Sequence, residues 1–210
     1  MKIKLLVVDD HEVIRTGLKN LLAGSSIEIV AEAANGKEAL AQAEKYRPDV
    51  ILLDVRMPDE DGLVTLERLR TQVPDSRVVM LSAFDNPTYV ARAVVWGASD
   101  YLLKGSSREN LIAAIEAAAA GASPSDFGEI RRMADTLQSR RKVDEADVPL
   151  TQREIQVLRH LALGLSNKEI ARSLQISIET VKEHVQNILR KIAAKDRTQA
   201  AVWAVRKGLV

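Results

Sequence analysis

The first 121 residues alternate short apolar runs with amphipathic stretches. Five runs rich in Val, Ile and Leu predict strands: Lys4–Asp9, Ile27–Ala33, Val50–Asp54, Val78–Ala83 and Tyr101–Lys104. Their nearly unbroken apolar character is typical of strands that are covered on both faces. The stretches between and after them predict helices: Val13–Ala23, Lys37–Tyr46, Leu63–Gln72, Thr88–Trp96 and Arg108–Ala120. Repeated strand–helix units with short connections predict an α/β domain, built on a five-stranded, doubly wound parallel sheet.

The last sixty residues have helical periodicity throughout. Two S/T-x-x-E capping boxes, TQRE from residue 151 and SNKE from residue 166, each precede an apolar periodic run. Two further helices are predicted, at Ile178–Ala193 and Thr198–Lys207. In the first of these, spacings of 3, 4, 3 and 4 predict one buried stripe: Ile178, Val181, Val185, Ile188 and Ile192. This order of helices predicts a small all-α helix-turn-helix domain that reads DNA.

Residues 122–148 break both patterns. Gly121, like Gly24 and Gly97, follows a predicted helix, where a left-handed C-cap residue is expected. Ser125 could begin a short helix, but the charged residues that follow are poorly patterned. We therefore expect one domain at residues 1–121, a linker with a possible short helix at 122–148, and a second domain at 149–210.

Composition narrows the chemistry that the chain can perform. Hydrophobic residues make up 46% of the 210, enough for true cores, and the lack of cysteine excludes disulfides and thiolate metal sites. The net charge is −4 over residues 1–120 and +6 over residues 149–210. This asymmetry favours a polyanionic partner for the second domain, although uneven sampling in a short tail would look the same. No signal peptide or membrane-spanning run is evident, so a cytoplasmic protein without a membrane partner is expected.

Residues suited to phosphate chemistry follow four of the five predicted strands. Asp9 and Asp10 end the first strand, Asp54 the third, Ser82 the fourth and Lys104 the fifth. Because parallel strands bring their carboxyl ends to one edge of a sheet, these side chains should form one pocket. Carboxylates suit Mg²⁺, and a lysine neutralises a phosphoryl group. Each residue alone has an ordinary alternative role, such as capping a helix, but their joint placement indicates a phosphate pocket.

The strings VVDDH, LLDVRMPDEDG and MLSA and the segment Tyr101–Lys104 resemble, in order, the motifs of bacterial response-regulator receiver domains. The resemblance implies a flavodoxin-like fold and makes Asp54 the phosphoacceptor. It also implies a Mg²⁺ site formed by Asp10, Asp54, the backbone carbonyl of Arg56 and, mainly through water, Asp9.

The same resemblance assigns Lys104 to the phosphoryl group and makes Ser82 and Tyr101 a switch pair. On phosphorylation the hydroxyl would move toward the phosphate and the aromatic ring would turn inward. One departure is Gly105, since receivers usually have proline after the lysine. The resemblance therefore does not predict the conformation of the loop after Lys104.

The strings SNKEIA and TVKEH resemble the LuxR-type helix-turn-helix. Joined to a receiver, this domain makes the whole chain resemble a NarL/FixJ-type transcriptional response regulator. The helix Ile178–Ala193 is then the recognition helix, and Lys182, Glu183 and Gln186 stand where the family reads bases. Thr180, Lys168 and Arg190 are candidates for contacts with DNA phosphates. The alternative is that these outward charges form only a solvated helix face.

The leading hypothesis is a DNA-binding regulator that a sensor histidine kinase, or a small phosphodonor, switches through Asp54. Its own phosphorylation and dephosphorylation would be its only catalysis, and Val202 and Trp203 would form a homodimer seam in the active state. One rival is a Mg²⁺-dependent phosphatase or phosphotransferase, which the arginine at position 56 disfavours because no second catalytic acid follows Asp54. A protein-binding adaptor, and a DNA-binding protein indifferent to phosphorylation, are further alternatives.

Overall fold

The computed structural model describes residues 2–58, 60–83, 86–125, 128–130 and 150–209. The chain divides into two compact units, residues 1–131 and residues 132–210. Most of the predicted short helix of the linker lies outside the described residues. None of the helices described is long and apolar enough to cross a membrane.

The first unit is built on a five-stranded parallel sheet, as predicted. Its strands in sequence order are β1 Ile3–Val8, β2 Ile27–Ala33, β3 Val50–Asp54, β4 Arg77–Ser82 and β5 Asp100–Leu103. Their order across the sheet is β2-β1-β3-β4-β5, and every neighbouring pair is parallel. All five residues of the central strand β3 are buried, which agrees with a sheet covered on both faces. The strand order changes direction between β1 and β3, the position at which doubly wound sheets bind ligands.

Five helices alternate with the strands: α1 Glu12–Leu22, α2 Gly36–Tyr46, α3 Gly62–Gln72, α4 Pro87–Val95 and α5 Arg108–Ala119. Four of them begin at a side-chain cap in which Asn35, Asp61, Asn86 or Ser107 accepts a backbone N–H. The predicted left-handed glycines are confirmed, with φ of 74° at Gly24, 80° at Gly97 and 68° at Gly121. These signals explain why the predicted helices agree with the observed ones to within a few residues.

The second unit contains four described helices: α6 Gln152–Ala162, α7 Asn167–Leu174, α8 Ile178–Lys191 and α9 Arg197–Arg206. Both predicted capping boxes are present in full at α6 and α7. Helix α8 ends two residues earlier than predicted, because Ala193 adopts a φ of 53°, which a right-handed helix does not allow.

The predicted stripe of α8 is correct at its centre and wrong at its start. Val181 and Ile188 are fully buried, and Val185 and Ile192 are partly buried. Ile178, however, remains 38% exposed. As the first residue of the helix it precedes the turns that pack against the rest of the unit, so periodicity alone overestimated its burial.

Candidate functional sites

The carboxyl ends of β1, β3 and β5 bring two aspartates and a lysine together. The Nζ atom of Lys104 lies 2.6 Å from Oδ2 of Asp9 and 3.0 Å from Oδ2 of Asp54. Both carboxylates are almost completely buried, and the lysine side chain is 18% exposed. Parallel pairing accounts for this arrangement, since Val8 is in register with Leu53 and Asp54 with Leu81. The predicted core of the pocket therefore exists in the folded unit.

Asp10 and His11 complete an acidic group at the same edge. The Nδ1 atom of His11 lies 2.9 Å from Oδ1 of Asp10 and 3.3 Å from Oδ1 of Asp9. One ligand atom from each of Asp9, Asp10, His11 and Asp54 can be chosen so that all lie within 4.8 Å of one another. Octahedral Mg²⁺ places opposite ligands roughly 4.2 Å apart, so the three carboxylates fit such an ion with small adjustments.

Burial and ion pairing act in opposite directions on the charged groups of this pocket. Burial raises the pKa of Asp54 above its usual value, although the nearby ammonium group of Lys104 opposes the increase. Burial alone would lower the pKa of Lys104, but its contacts with Asp9 and Asp54 outweigh that effect and the pKa is raised. Lys104 therefore remains a cation, placed where negative charge at Asp54 would be largest.

The loop after β3 folds back closely over Asp54. Arg56 and Asp61 form an antiparallel bridge across this loop, and the backbone N–H of Gly62 donates to the carbonyl of Val55 at 2.9 Å. A Cβ atom at Gly62 would lie 2.0 Å from the carbonyl oxygen of Asp54, so only glycine fits there. Arg56 also approaches through its backbone, whose N–H lies 3.4 Å from Oδ1 of Asp54.

The predicted switch residues lie at the ends of β4 and β5. Ser82 is buried, and its backbone carbonyl accepts the N–H of Lys104 at 2.7 Å. The ring of Tyr101 is fully buried, so the structure has it turned inward. After Lys104 the chain turns at the exposed Gly105, and the N–H of Ser106 donates to the carbonyl of Leu103 at 2.9 Å.

Sequence reasoning overlooked Arg15, which supports the acidic residues from α1. Its Nη1 atom donates to the backbone carbonyl of Asp9 at 2.7 Å, and its Nε atom lies 3.3 Å from Glu32. The available signal was its spacing of four residues from His11, one helical turn that returns the side chain to the same face. His11, which the sequence analysis did not single out, has a ring nitrogen within reach of two carboxylates.

The predicted DNA-contacting residues of α8 lie on its outer face. Lys182, Glu183, Gln186 and Arg190 are all exposed, whereas Thr180 is half-buried beside the helix cap, 3.0 Å from the hydroxyl of Ser177. Lys168 is exposed on α7. Two contacts within α8 favour the solvated-face alternative: Nη2 of Arg190 donates to Oδ1 of Asn187 at 3.0 Å, and the ammonium group of Lys182 lies 3.5 Å from the carboxylate of Glu179. An ion pair of this kind contributes little and is easily exchanged for other partners.

Helix α8 is held by polar contacts as well as by its buried stripe. Lys191 at its end lies 2.7 Å from Oε2 of Glu154, the acidic member of the first capping box. Burial would raise the pKa of Glu154, but Lys191 and the N–H and hydroxyl of Thr151 outweigh it, so the pKa is lowered. Between α6 and α7, His160 contacts the carbonyl of Gln156 at 2.7 Å and the hydroxyl of Ser173 at 2.8 Å. These contacts hold the His160 ring within the folded unit.

The predicted dimer seam is partly exposed on α9. Val202 is 47% exposed, and Trp203 is half-buried with Lys207 5.9 Å from its ring. Together with Ile192, Ala193 and Ala194, which follow α8, they line a cavity of about 360 Å³. Val205, which the sequence did not single out, is also exposed on this helix.

Each half of the chain matches a known protein family. Residues 5–116 match the family "Response regulator receiver domain", and residues 148–204 match "Bacterial regulatory proteins, luxR family". The response regulator protein VraR of Staphylococcus aureus (strain Mu3 / ATCC 700698) is 39% identical over 211 residues, which cover both chains completely.

Two solved structures extend over nearly the whole chain. The response regulator ChrA of a heme-sensing two-component system is 31% identical with a TM-score of 0.54, over 100% of this chain and 99% of ChrA. The RcsB response regulator of Salmonella typhimurium shares the fold, at 20% identity and a TM-score of 0.60, over 97% of this chain and 98% of RcsB.

The resemblance inferred from the motifs is thus confirmed for both halves of the chain. The two matched families describe a DNA-binding regulator and not a conventional enzyme. An acidic pocket of the receiver type precedes a helix-turn-helix of the LuxR type. The chain belongs to the NarL/FixJ-type two-component response regulators.

Proposed function

We propose that this regulator is switched by phosphorylation of Asp54 and that its active form is a homodimer bound to duplex DNA. A sensor histidine kinase, or a small acyl-phosphate donor, supplies the phosphoryl group. The observation that carries the proposal is the position of the buried Asp54 carboxylate, 3.0 Å from the Lys104 ammonium group and beside two further aspartates. The lysine and the carboxylates lie together at the edge where open α/β sheets bind ligands.

In the transfer step an Asp54 carboxylate oxygen attacks the phosphorus of the donor's phosphohistidine. The P–N bond breaks, its electron pair returns to the histidine nitrogen, and a proton from solvent keeps that ring neutral. Lys104 offsets the negative charge that the phosphoryl oxygens bring to the buried site. Asp9, Asp10, Asp54 and the backbone carbonyl of Arg56 would hold Mg²⁺, which when bound neutralises the repulsion between carboxylate and phosphoryl group. Catalysis is limited to phosphorylation and dephosphorylation of the protein itself.

The acyl phosphate carries a charge of about −1.5 to −2, in place of the single negative charge of the free Asp54 carboxylate. The hydroxyl of Ser82, which lies in the same rim, donates to a phosphoryl oxygen and moves toward it. Tyr101 moves with β5, the strand that Lys104 follows. Its ring stays turned inward in the phosphorylated form. The surface near β4 and β5 therefore changes with the chemical state of Asp54.

DNA recognition falls to the outer face of α8. Lys182 and Gln186 are suited to base edges as hydrogen-bonding partners of guanine and adenine, and Glu183 can accept from cytosine. Thr180, Lys168 and Arg190 contact backbone phosphates and set the position of the helix. The two acidic residues Glu179 and Glu183 weaken nonspecific attraction, so useful affinity requires two copies of the helix.

Dimerisation in the active state uses the exposed part of α9, with Val202 and Trp203 at its centre. A two-fold axis there would present two α8 helices to symmetric half-sites in the DNA. Because both the kinase domain that donates phosphate and the DNA are reached from the cytoplasm, that is where the protein acts.

The test compares molecular mass by gel filtration and binding to duplex DNA, with and without beryllofluoride plus Mg²⁺. We expect a monomer that becomes a DNA-binding dimer on addition, and no change for Asp54→Asn. Asp75→Asn, an exposed aspartate of the same unit, is the matched control and should respond fully. An equal response of Asp54→Asn would remove Asp54 from the mechanism, and steady turnover of a diffusible phosphoester would favour the enzymatic alternative.

A further inference from the structure

The buried carboxylate of Asp100 lies at the start of β5, away from the phosphate pocket. It is only 2% exposed and accepts three hydrogen bonds. The backbone N–H of Ser125 donates to Oδ2 at 3.0 Å, the hydroxyl of Ser125 donates to the same oxygen at 2.5 Å, and the N–H of Tyr101 donates to Oδ1 at 2.8 Å. Two of these three donors belong to Ser125, in the segment that follows α5.

The same segment packs against Asp100 too closely for a larger residue at position 128. A Cβ atom at Gly128 would lie 2.1 Å from Oδ1 of Asp100 and 2.9 Å from the hydroxyl of Ser125. The N–H of Gly128 donates to the carbonyl of Ser125 at 3.0 Å, and Ile130 is buried. Ser125 and the residues 128–130 are thus part of the first unit, beyond the boundary at residue 121 that the sequence suggested.

A carboxylate deprived of water binds its remaining donors strongly. Hydrogen bonds to an ionised acceptor are roughly twice as strong as those between neutral groups. Loss of a donor would leave a buried charge incompletely satisfied, which the folded chain avoids. Asp100 therefore fixes the position of Ser125 more firmly than an exposed residue would.

We propose that Asp100 is a positioning residue that ties Ser125, in the segment that leads from α5 toward the second unit, to β5. The strand β5 has four residues, Asp100–Leu103, and is followed at once by Lys104. Asp100 is joined to Tyr101 by the peptide bond and by the hydrogen bond to its carboxylate, and Lys104 directly follows the other end of the strand. A shift of β5 toward a phosphorylated Asp54 therefore carries Asp100, and Ser125 with it.

This inference rests on the proposed phosphorylation switch. It identifies Asp100 and Ser125 as the residues that pass the movement of β5 to the segment after α5. The strand spans only roughly 13 Å at about 3.3 Å per residue, a short and rigid element. A purely structural cap would hold Ser125 equally well but would not move when the pocket is filled. The two alternatives therefore differ in the response of Ser125 and Gly128 to beryllofluoride.

The experiment records backbone amide NMR signals and amide exchange of the full chain, with and without beryllofluoride plus Mg²⁺. Ser125→Ala removes the hydroxyl donor, and Gly128→Ala forces the segment away from Asp100; either variant serves if Asp100→Asn does not fold. Ser99→Ala is the control, since the backbone N–H of Ser99 donates to the carbonyl of Val78 at 2.7 Å and alanine retains this donor. Exchange of the Gly128 amide should be about tenfold faster in Ser125→Ala and unchanged in Ser99→Ala.

With beryllofluoride, the amides of Lys104, Ser125 and Gly128 should all shift in the unaltered chain. In Ser125→Ala the Lys104 shift should persist and the Gly128 shift should be lost. A Lys104 shift without any Gly128 shift in the unaltered chain would overturn the inference while leaving the proposed function intact. No shift at Lys104 would instead contradict the proposed function, and with it the coupling to Ser125. Unchanged Gly128 exchange in Ser125→Ala would show that Asp100 does not hold the segment.

Discussion

Lys104 and Asp54, fifty residues apart in the chain, form a 3.0 Å hydrogen bond between Nζ and Oδ2 at the rim of the sheet. The same ammonium group lies 2.6 Å from Asp9, so one cation serves two buried carboxylates. A phosphoryl group at Asp54 would add negative charge to a site that already carries more carboxylates than lysines. Lys104 is therefore placed to offset the negative charge of a phosphoryl group at Asp54.

The first prediction concerns this lysine. Lys104→Met should lower the rate of phosphorylation by acetyl phosphate by about 10²-fold, because it removes a preorganised cation from the transition state. The rate is measured as the growth of the singly phosphorylated species in intact-protein mass spectra. Lys45→Met, an exposed lysine of the same unit, is the control and should leave the rate unchanged. An unaltered rate for Lys104→Met would show that the buried ion pair has only a structural role.

The second prediction concerns the loop that covers Asp54. Gly62→Ala should destabilise the first unit by about 2–3 kcal/mol, because the new methyl group would lie 2.0 Å from the Asp54 carbonyl. Gly17→Ala is a matched control on α1, where a Cβ atom meets nothing within 4 Å. It should stabilise by about 0.5–1 kcal/mol, since alanine is preferred in an exposed helix. Urea midpoints of the two variants should therefore move in opposite directions, and a shared direction would contradict the steric argument.

The strands and the pocket chemistry were predictable because both depend on local sequence. Apolar runs of four to seven residues and the polar residue after each one are visible without any tertiary contact. The contribution of Arg15 was missed because its partner is the backbone carbonyl of Asp9; the spacing from His11 indicates a shared helix face but identifies no side-chain partner. Likewise, the bond between Asp100 and Ser125 joins positions 25 residues apart and follows from the folded path of the chain.

The third prediction concerns pH and the second unit. Burial is the main cause of the lowered pKa of His160; the Gln156 carbonyl opposes it, and Arg153 and Arg159 add to it. Above the usual value of 6.5 the ring is neutral in both the folded and the unfolded chain. Below it the unfolded chain binds a proton first, so the unit should lose up to about 1.4 kcal/mol of stability per pH unit.

This loss can be measured with one tryptophan in each unit. Trp96→Phe leaves Trp203 as the only tryptophan of the chain, so its fluorescence during urea unfolding reports on the second unit. The urea midpoint should decrease as the pH is lowered from 7 to 5.5. In His160→Gln this decrease should be smaller, because glutamine does not titrate. An identical pH dependence in His160→Gln would assign the effect to other groups.

The last prediction separates base contacts from phosphate contacts on the outer face of the DNA-binding unit. With beryllofluoride present, Gln186→Ala should weaken the free energy of binding to the preferred DNA site by about 1–3 kcal/mol. It should also reduce the difference in affinity between that site and sites altered at one base pair. Lys168→Ala should weaken binding to all DNA sites alike, and it should reduce the slope of log K against log salt concentration by about 1. Lys37→Ala, an exposed lysine of the first unit, should change neither quantity. Equal losses on every sequence for Gln186→Ala would mean that this side chain positions the helix but does not read bases.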